Sequence, residues 1–290
     1  MTLRIDSAGN IVRNNDIETA TPLTLPTLPQ QPSIFPSLKN APLTLKILIL
    51  QCLIYLISCY IPPMGYFEPS RLALLRIGSV SHSFLACSPC GYVFELRRLI
   101  VATFLHSGIA HILMNSLFQI FTCPDLESNL KSSKAFLLQY IGAGFFGNLC
   151  FAMYGESAVG ASGACYGLLG AAAMRLYLLW PSMDLANREQ AKSMIIRQVA
   201  ILLFLELMAW NSVAHAVHLG GFVSGACIYA ILTCDSASAS FGSREATLLL
   251  NSKAVLIFMT VFPTIVIMFP ACADFRRVCA DCDSLMSIYN

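Results

Sequence analysis

Residues 160–170 read Gly-Ala-Ser-Gly-Ala-Cys-Tyr-Gly-Leu-Leu-Gly and open an apolar run that continues to Trp180. One hydroxyl, that of Ser162, stands between small residues. A serine in a glycine-rich apolar helix ordinarily bonds back to its own preceding turn and serves packing. Beside a base that can take its proton it becomes a nucleophile. Residues elsewhere in the chain decide between the two.

The composition places the run in a membrane. Of 290 residues, 56% are hydrophobic and 12% charged, and the mean hydropathy is +0.67. Soluble domains carry about 25% charged residues, so this is the composition of a polytopic membrane protein. The net charge of +2 comes without a basic cluster, which gives no support for a nucleic-acid partner. Residues 1–42 differ: they are polar and proline-rich, and they read as a disordered cytosolic tail. No apolar core follows a basic start there, so the tail does not read as a signal peptide.

Apolar runs of about 20 residues, enough to cross a bilayer as helices, fall near 43–61, 99–121, 135–154, 159–180, 194–212, 213–233 and 254–272. Basic residues favour cytosolic loops. With a cytosolic N-terminus, 12 of the 18 Lys and Arg lie in cytosolic segments. The first outer loop, 62–98, departs from the rule with Arg71, Arg76, Arg97 and Arg98. It is long and partly apolar, as an interfacial segment would be. The expected topology is N-in, C-out, and the second, fourth and sixth spans run in the same direction.

Polar residues cluster in those three spans. The second holds His106, His111 and Asn115. His111 and Asn115 are four apart and share a helix face. If the span is one helix, His106 points about 140° away from His111. The fourth span holds Ser162, about four residues in, and the sixth holds His215 and His218. Gly163, Gly167 and Gly170, with Gly221 and Gly225 opposite, would let the fourth and sixth helices approach closely. Ser162 would then meet His218 as its base. Asn115, His111 and the Ser162 backbone N–H could serve an oxyanion. Tyr166, one turn beyond Ser162, could pack on the imidazole. Neither Glu156 nor Glu206 sits at a depth that would complete a triad. The set could hydrolyse a peptide bond within a membrane.

Taken together, Glu95-Leu-Arg-Arg98, His106-x4-His111-x3-Asn115, Gly160-Ala-Ser162-Gly, Tyr166 and His218-x2-Gly221-x3-Gly225 resemble the rhomboid family of intramembrane serine proteases. The resemblance implies an all-α membrane protein with a six-helix core over 43–233. It adds a loop and seventh helix over 234–272, a six-plus-one arrangement like that of eukaryotic secretory-pathway rhomboids, and an outer tail over 273–290. It implies Ser162 as nucleophile, His218 as general base, and His111 and Asn115 as oxyanion donors. Tyr166 matches the aromatic stacked on the imidazole. His106, Arg98, Glu95, Gly221 and Gly225 match structural positions. Single-span membrane proteins in the bilayer would be the substrates, cut where the helix can unwind, with no cofactor and no metal. The location implied is the secretory pathway or plasma membrane. Two departures stand out: Arg97 replaces the tryptophan of the family's Trp-Arg pair, and His215 replaces a common asparagine.

Twelve cysteines are present. Most lie in spans and behave as small apolar residues. Cys87/Cys90 and Cys279/Cys282 fall outside; disulfides joining loop to tail, a four-Cys zinc site and free thiols are the alternatives. Two competing functions are a catalytically inactive rhomboid-like protein that binds membrane clients, and a seven-span transporter or receptor using its histidines. The retained Ser162 and His218 speak against the first. The lack of a visible inverted repeat speaks against the second.

Overall fold

In a computed structural model of the chain, the described residues are 3–5, 11–13, 38–87, 92–153, 157–208, 214–234 and 243–268. The chain divides into two units, Met1–Gln30 and Gln31–Asn290. In the first, strands β1 (Leu3–Ile5) and β2 (Ile11–Arg13) pair antiparallel, with Arg4 opposite Val12. The rest of the expected tail up to residue 37 lies outside the described residues. So do Cys90, Cys279, Cys282 and the Cys87 side chain.

The second unit is all-α among its described residues, apart from one isolated bridge. Its helices are α1 (Pro42–Cys59), α2 (Arg71–Ile77), α3 (His82–Cys87), α4 (Tyr92–Glu95), α5 (Arg98–Val101), α6 (Ile109–Asn129), α7 (Ser133–Phe151), α8 (Ser162–Leu179), α9 (Leu185–Met208), α10 (His215–Thr233) and α11 (Arg244–Met268). Among these, α1, α10 and α11 are each long and apolar enough to cross a membrane, and α5 with α6 forms a fourth, bent candidate. The protein is an integral membrane protein. Helices α7 and α8 are less apolar because they carry Gln139, Asn148 and Arg175 toward neighbouring helices rather than lipid. Half of α10's most apolar window is buried against 22% of α11's, so α10 is central and α11 peripheral.

The second span departs from expectation. A helix continuous over 99–121 is not found. Residues 98–104 end in a short 3-10 turn, Leu105 and Gly108 are extended, and α6 sets off at 91° to the first segment. The turn-forming Ser107-Gly108 pair and the close seat of the Glu68 carboxylate over Gly108, 2.8 Å from where a Cβ would lie, accompany the break. His106 therefore lies in the break, fully buried, and the helical angle expected between it and His111 does not apply.

Buried polar side chains tie the bundle together. Tyr140 of α7 donates to Gln119 of α6 (2.7 Å), Gln119 donates to Gln51 of α1 (3.0 Å), and Gln51 donates back to Tyr140 (2.8 Å). In an apolar interior each of these groups would be costly without its partners. Glu127 closes the start of α1, accepting from the Leu43 and Thr44 backbone N–H groups, both at 2.9 Å, and from the Thr44 hydroxyl. The Arg175 guanidinium of α8 reaches Asp125 (3.0 Å) and Asn129 (2.9 Å) near the end of α6.

Helices α8 and α10 meet backbone to backbone. A Cβ on Gly221 would lie 2.1 Å from the Gly163 carbonyl oxygen, and one on Gly225 would lie 2.1 Å from that of Gly167. No larger residue fits there without moving a helix. Gln139 of α7 covers the seam, donating to the Gly225 carbonyl at 3.0 Å.

Candidate active site

Ser162 is the first residue of α8, not four residues in as expected. The helix starts there because the preceding strand-like segment is pinned from outside. Ala158 and Val80 exchange both backbone hydrogen bonds, at 2.9 and 3.0 Å, and the Gly160 N–H donates to the Ala102 carbonyl at 2.9 Å. Gly160 has a φ of 125°, a conformation that side-chain-bearing residues rarely adopt, and a Cβ there would lie 2.7 Å from His111 Nε2. At the start of a helix the Ser162 N–H has no intrahelical acceptor. The helix dipole there favours negative charge.

His111 lies in the first turn of α6, with Asn115 one turn on. The Ser107 N–H (3.5 Å) and hydroxyl (3.0 Å) both face His111 Nδ1. With Nδ1 accepting, the proton resides on Nε2, the atom that faces Gly160. Asn115 is buried, and its Nδ2 donates to the His111 carbonyl at 3.0 Å, leaving its second N–H proton for another acceptor. His106 stands edge-on to His111, with ring centroids 5.3 Å apart.

His218 is the fourth residue of α10 and half-buried, and Tyr166 stacks on it with centroids 4.1 Å apart and planes 10° from parallel. Its neighbour Val217 packs on the space over Gly163, one residue after Ser162. The structure thus brings Ser162, Tyr166, His218, His111 and Asn115 to one end of helices α6, α8 and α10. His215 is exposed at the first position of α10. Glu156 and the Glu206 side chain lie outside the described residues.

Glu95 and Arg98 are not part of that group. Both are completely buried and form an ion pair of 2.5 Å beneath the first loop. Arg98 also donates to the carbonyls of Leu75 (2.8 Å) and Ser79 (3.0 Å) and lies 3.9 Å over the Phe84 ring. These bonds gather α2, the 78–81 turn and α3 onto α5. Arg97, where the family has tryptophan, donates to the Ile77 carbonyl at the end of α2 and covers the Phe94 ring at 4.3 Å. The loop is therefore docked, despite the departure in sequence.

Sequence reasoning passed over Ser107 and the Gln51–Gln119–Tyr140 triangle, and it read Gly160 only as part of a motif, not as a left-handed residue against His111. The glutamines carried a usable signal, since uncharged polar residues inside apolar spans require partners. Ser107 lies only four residues before His111, but nothing in its type or spacing marked the contact; the contacts of Gly160 with Ala102 and His111 are distant in sequence.

Comparison with known proteins gives one family. The rhomboid domain model matches residues 93–235. The chain is 29% identical over 195 residues to "Rhomboid-like protease 3" of Toxoplasma gondii, covering 67% of this chain and 70% of that protein. It is 35% identical over 159 residues to "RHOMBOID-like protein 1" of Arabidopsis thaliana, 54% of this chain and 38% of that one. It is also 30% identical over 179 residues to "Inactive rhomboid protein 2" of Homo sapiens, where it spans 20% of the relative's length. The relatives thus include both a protease and an inactive protein by name.

Proposed function

The chain belongs to the rhomboid family, and from that premise we propose that it is an intramembrane serine endopeptidase. Its substrates are single-span membrane proteins, cleaved within or near their transmembrane segments. The observation that carries the reading is the Tyr166 ring stacked on His218 at 4.1 Å, on helices whose glycines touch. Such stacking restricts the rotation of an imidazole and so suits a general base.

In this mechanism Ser162 Oγ attacks the scissile carbonyl carbon as its proton passes to His218. The developing oxyanion accepts from the Ser162 N–H, from His111 Nε2–H and from the free proton of Asn115 Nδ2. His218 then gives its proton to the leaving amine, and an acyl-enzyme remains on Ser162. Water, deprotonated by His218, releases the acid. A helical substrate must unwind first, because its carbonyls are hydrogen-bonded and shielded. Helix α9 is the element proposed to move aside. The expected location is the secretory pathway or plasma membrane, with the N-terminus cytosolic.

The inactive relative motivates a second reading, a binder of membrane clients. Reconstitution separates the two. The chain in proteoliposomes, given a single-span protein with a glycine-containing membrane segment, should cleave it. Ser162→Ala and His218→Ala should each slow cleavage by about 10³-fold or more. Equal cleavage by Ser162→Ala would remove the enzyme reading, and tight association without cleavage by the wild type would favour the binder.

A further inference from the structure

The end of α8 remote from Ser162 borders a cavity of about 420 Å³. Leu176, Tyr177 and Trp180 of the α8 end, Ile195 of α9 and Arg244 of α11 line it, so its wall is apolar and aromatic with one cation at the margin. Arg244 lies 4.4 Å over the Tyr177 ring, its Nε 3.3 Å from the Tyr177 hydroxyl. On the other side Arg188 lies 5.0 Å over the Trp180 ring and donates to the Trp180 carbonyl at 3.0 Å. Its Nε is buried without a hydrogen-bond partner.

Two nearby carboxylates are engaged elsewhere. Glu189 pairs with Lys192 at 2.7 Å, and Asp184 caps α9 through Asn187 at 2.8 Å. Glu245, next along α11, is exposed. Among the described residues, neither Arg188 nor Arg244 has a carboxylate partner. One guanidinium, Arg244, thus lines an apolar cavity whose rim is a tryptophan and a tyrosine, and a second, Arg188, lies over the rim tryptophan with Lys192 5.3 Å over the same ring. Those aromatics mark the depth of lipid headgroups, and arginine stems reach such a level with their charges outward.

We propose that this cavity binds one anionic phospholipid. An acyl chain fills the apolar space between α8 and α9, and the phosphate lies between Arg188 and Arg244. Guanidiniums match a phosphate in both charge and donor geometry. A soluble anion would leave the apolar wall uncovered, and a zwitterionic headgroup would leave the excess positive charge uncompensated. The bound lipid would join the foot of α9 to α8 and α11.

The test uses the purified full chain in neutral detergent, with thermal unfolding and native mass spectrometry as readouts. Phosphatidylglycerol should raise the melting temperature by about 4–8 °C and remain as a one-lipid adduct. Phosphatidylcholine and glycerol phosphate should do neither. Arg188→Gln with Arg244→Gln should abolish the shift and reduce adduct occupancy about tenfold, with the lipid-free melting temperature retained. Should the double variant not fold, Arg244→Gln alone, at an exposed side chain, should still lower occupancy about threefold. Equal stabilisation by phosphatidylcholine, a shift with glycerol phosphate alone, or wild-type occupancy in Arg244→Gln would each overturn the proposal.

Discussion

Ser162 takes its place from contacts that lie far from it in sequence. Its neighbours Ala158 and Gly160 are bonded to Val80 and Ala102, which makes Ser162 the first residue of α8 and frees its N–H. Gly160→Ala should therefore cost more than a typical loop change. It strains a φ of 125° and drives a Cβ to 2.7 Å from His111 Nε2. About 1–3 kcal/mol of stability and most of the proteolytic rate should be lost, read by thermal unfolding beside cleavage. Tyr166 makes a graded test. Removing a stacked ring forfeits about 0.5–1.5 kcal/mol, so Tyr166→Ala should lower kcat about 2- to 12-fold while Tyr166→Phe stays near wild type. Ser162, His218, Tyr166, His111 and Asn115 could be singled out as candidates in the sequence because their types and spacings are unusual in apolar helices. The exact start of α8 could not, because it depends on pairing with a loop some 80 residues earlier.

At the scale of elements, glycine spacing was the informative signal. Gly163, Gly167, Gly221 and Gly225 were expected to let two helices touch, and they do so through backbone atoms. Gly225→Val should therefore separate α8 from α10, costing about 1–3 kcal/mol or more and disabling cleavage without touching Ser162 or His218. Unfolding in detergent and the cleavage assay read the two effects. The bent second span was not legible. A hydropathy pattern counts apolar residues and cannot register a turn between Leu105 and Gly108 that preserves the count. The hydrogen-bonded triangle is a further test at this scale. Gln119→Leu takes the acceptor from the Tyr140 hydroxyl proton and the donor from the Gln51 Oε1 in the interior, at a cost of about 1–3 kcal/mol. Loss of stability with a small change in kcat would mark it as structural.

For the molecule as a whole, low charge and high hydropathy were enough to assign a helical membrane protein, and the family match agrees. What composition could not convey is how the first loop attaches. Its anchor is a buried Glu95–Arg98 pair with added carbonyl bonds, a three-dimensional arrangement of otherwise ordinary loop charges. Breaking a buried pair leaves an uncompensated charge, so Glu95→Gln should destabilise by about 3–5 kcal/mol and expose residues 62–98 to added protease. The central claim, that Ser162 is a nucleophile activated by His218, can be tested without knowing any natural substrate. The intact chain in detergent is treated with a fluorophosphonate, and the adduct is mapped by mass spectrometry. One phosphonyl group on Ser162, absent in Ser162→Ala and strongly reduced in a folded His218→Ala, is the predicted result. No adduct on the folded wild type, or an adduct that persists in Ser162→Ala, would contradict it.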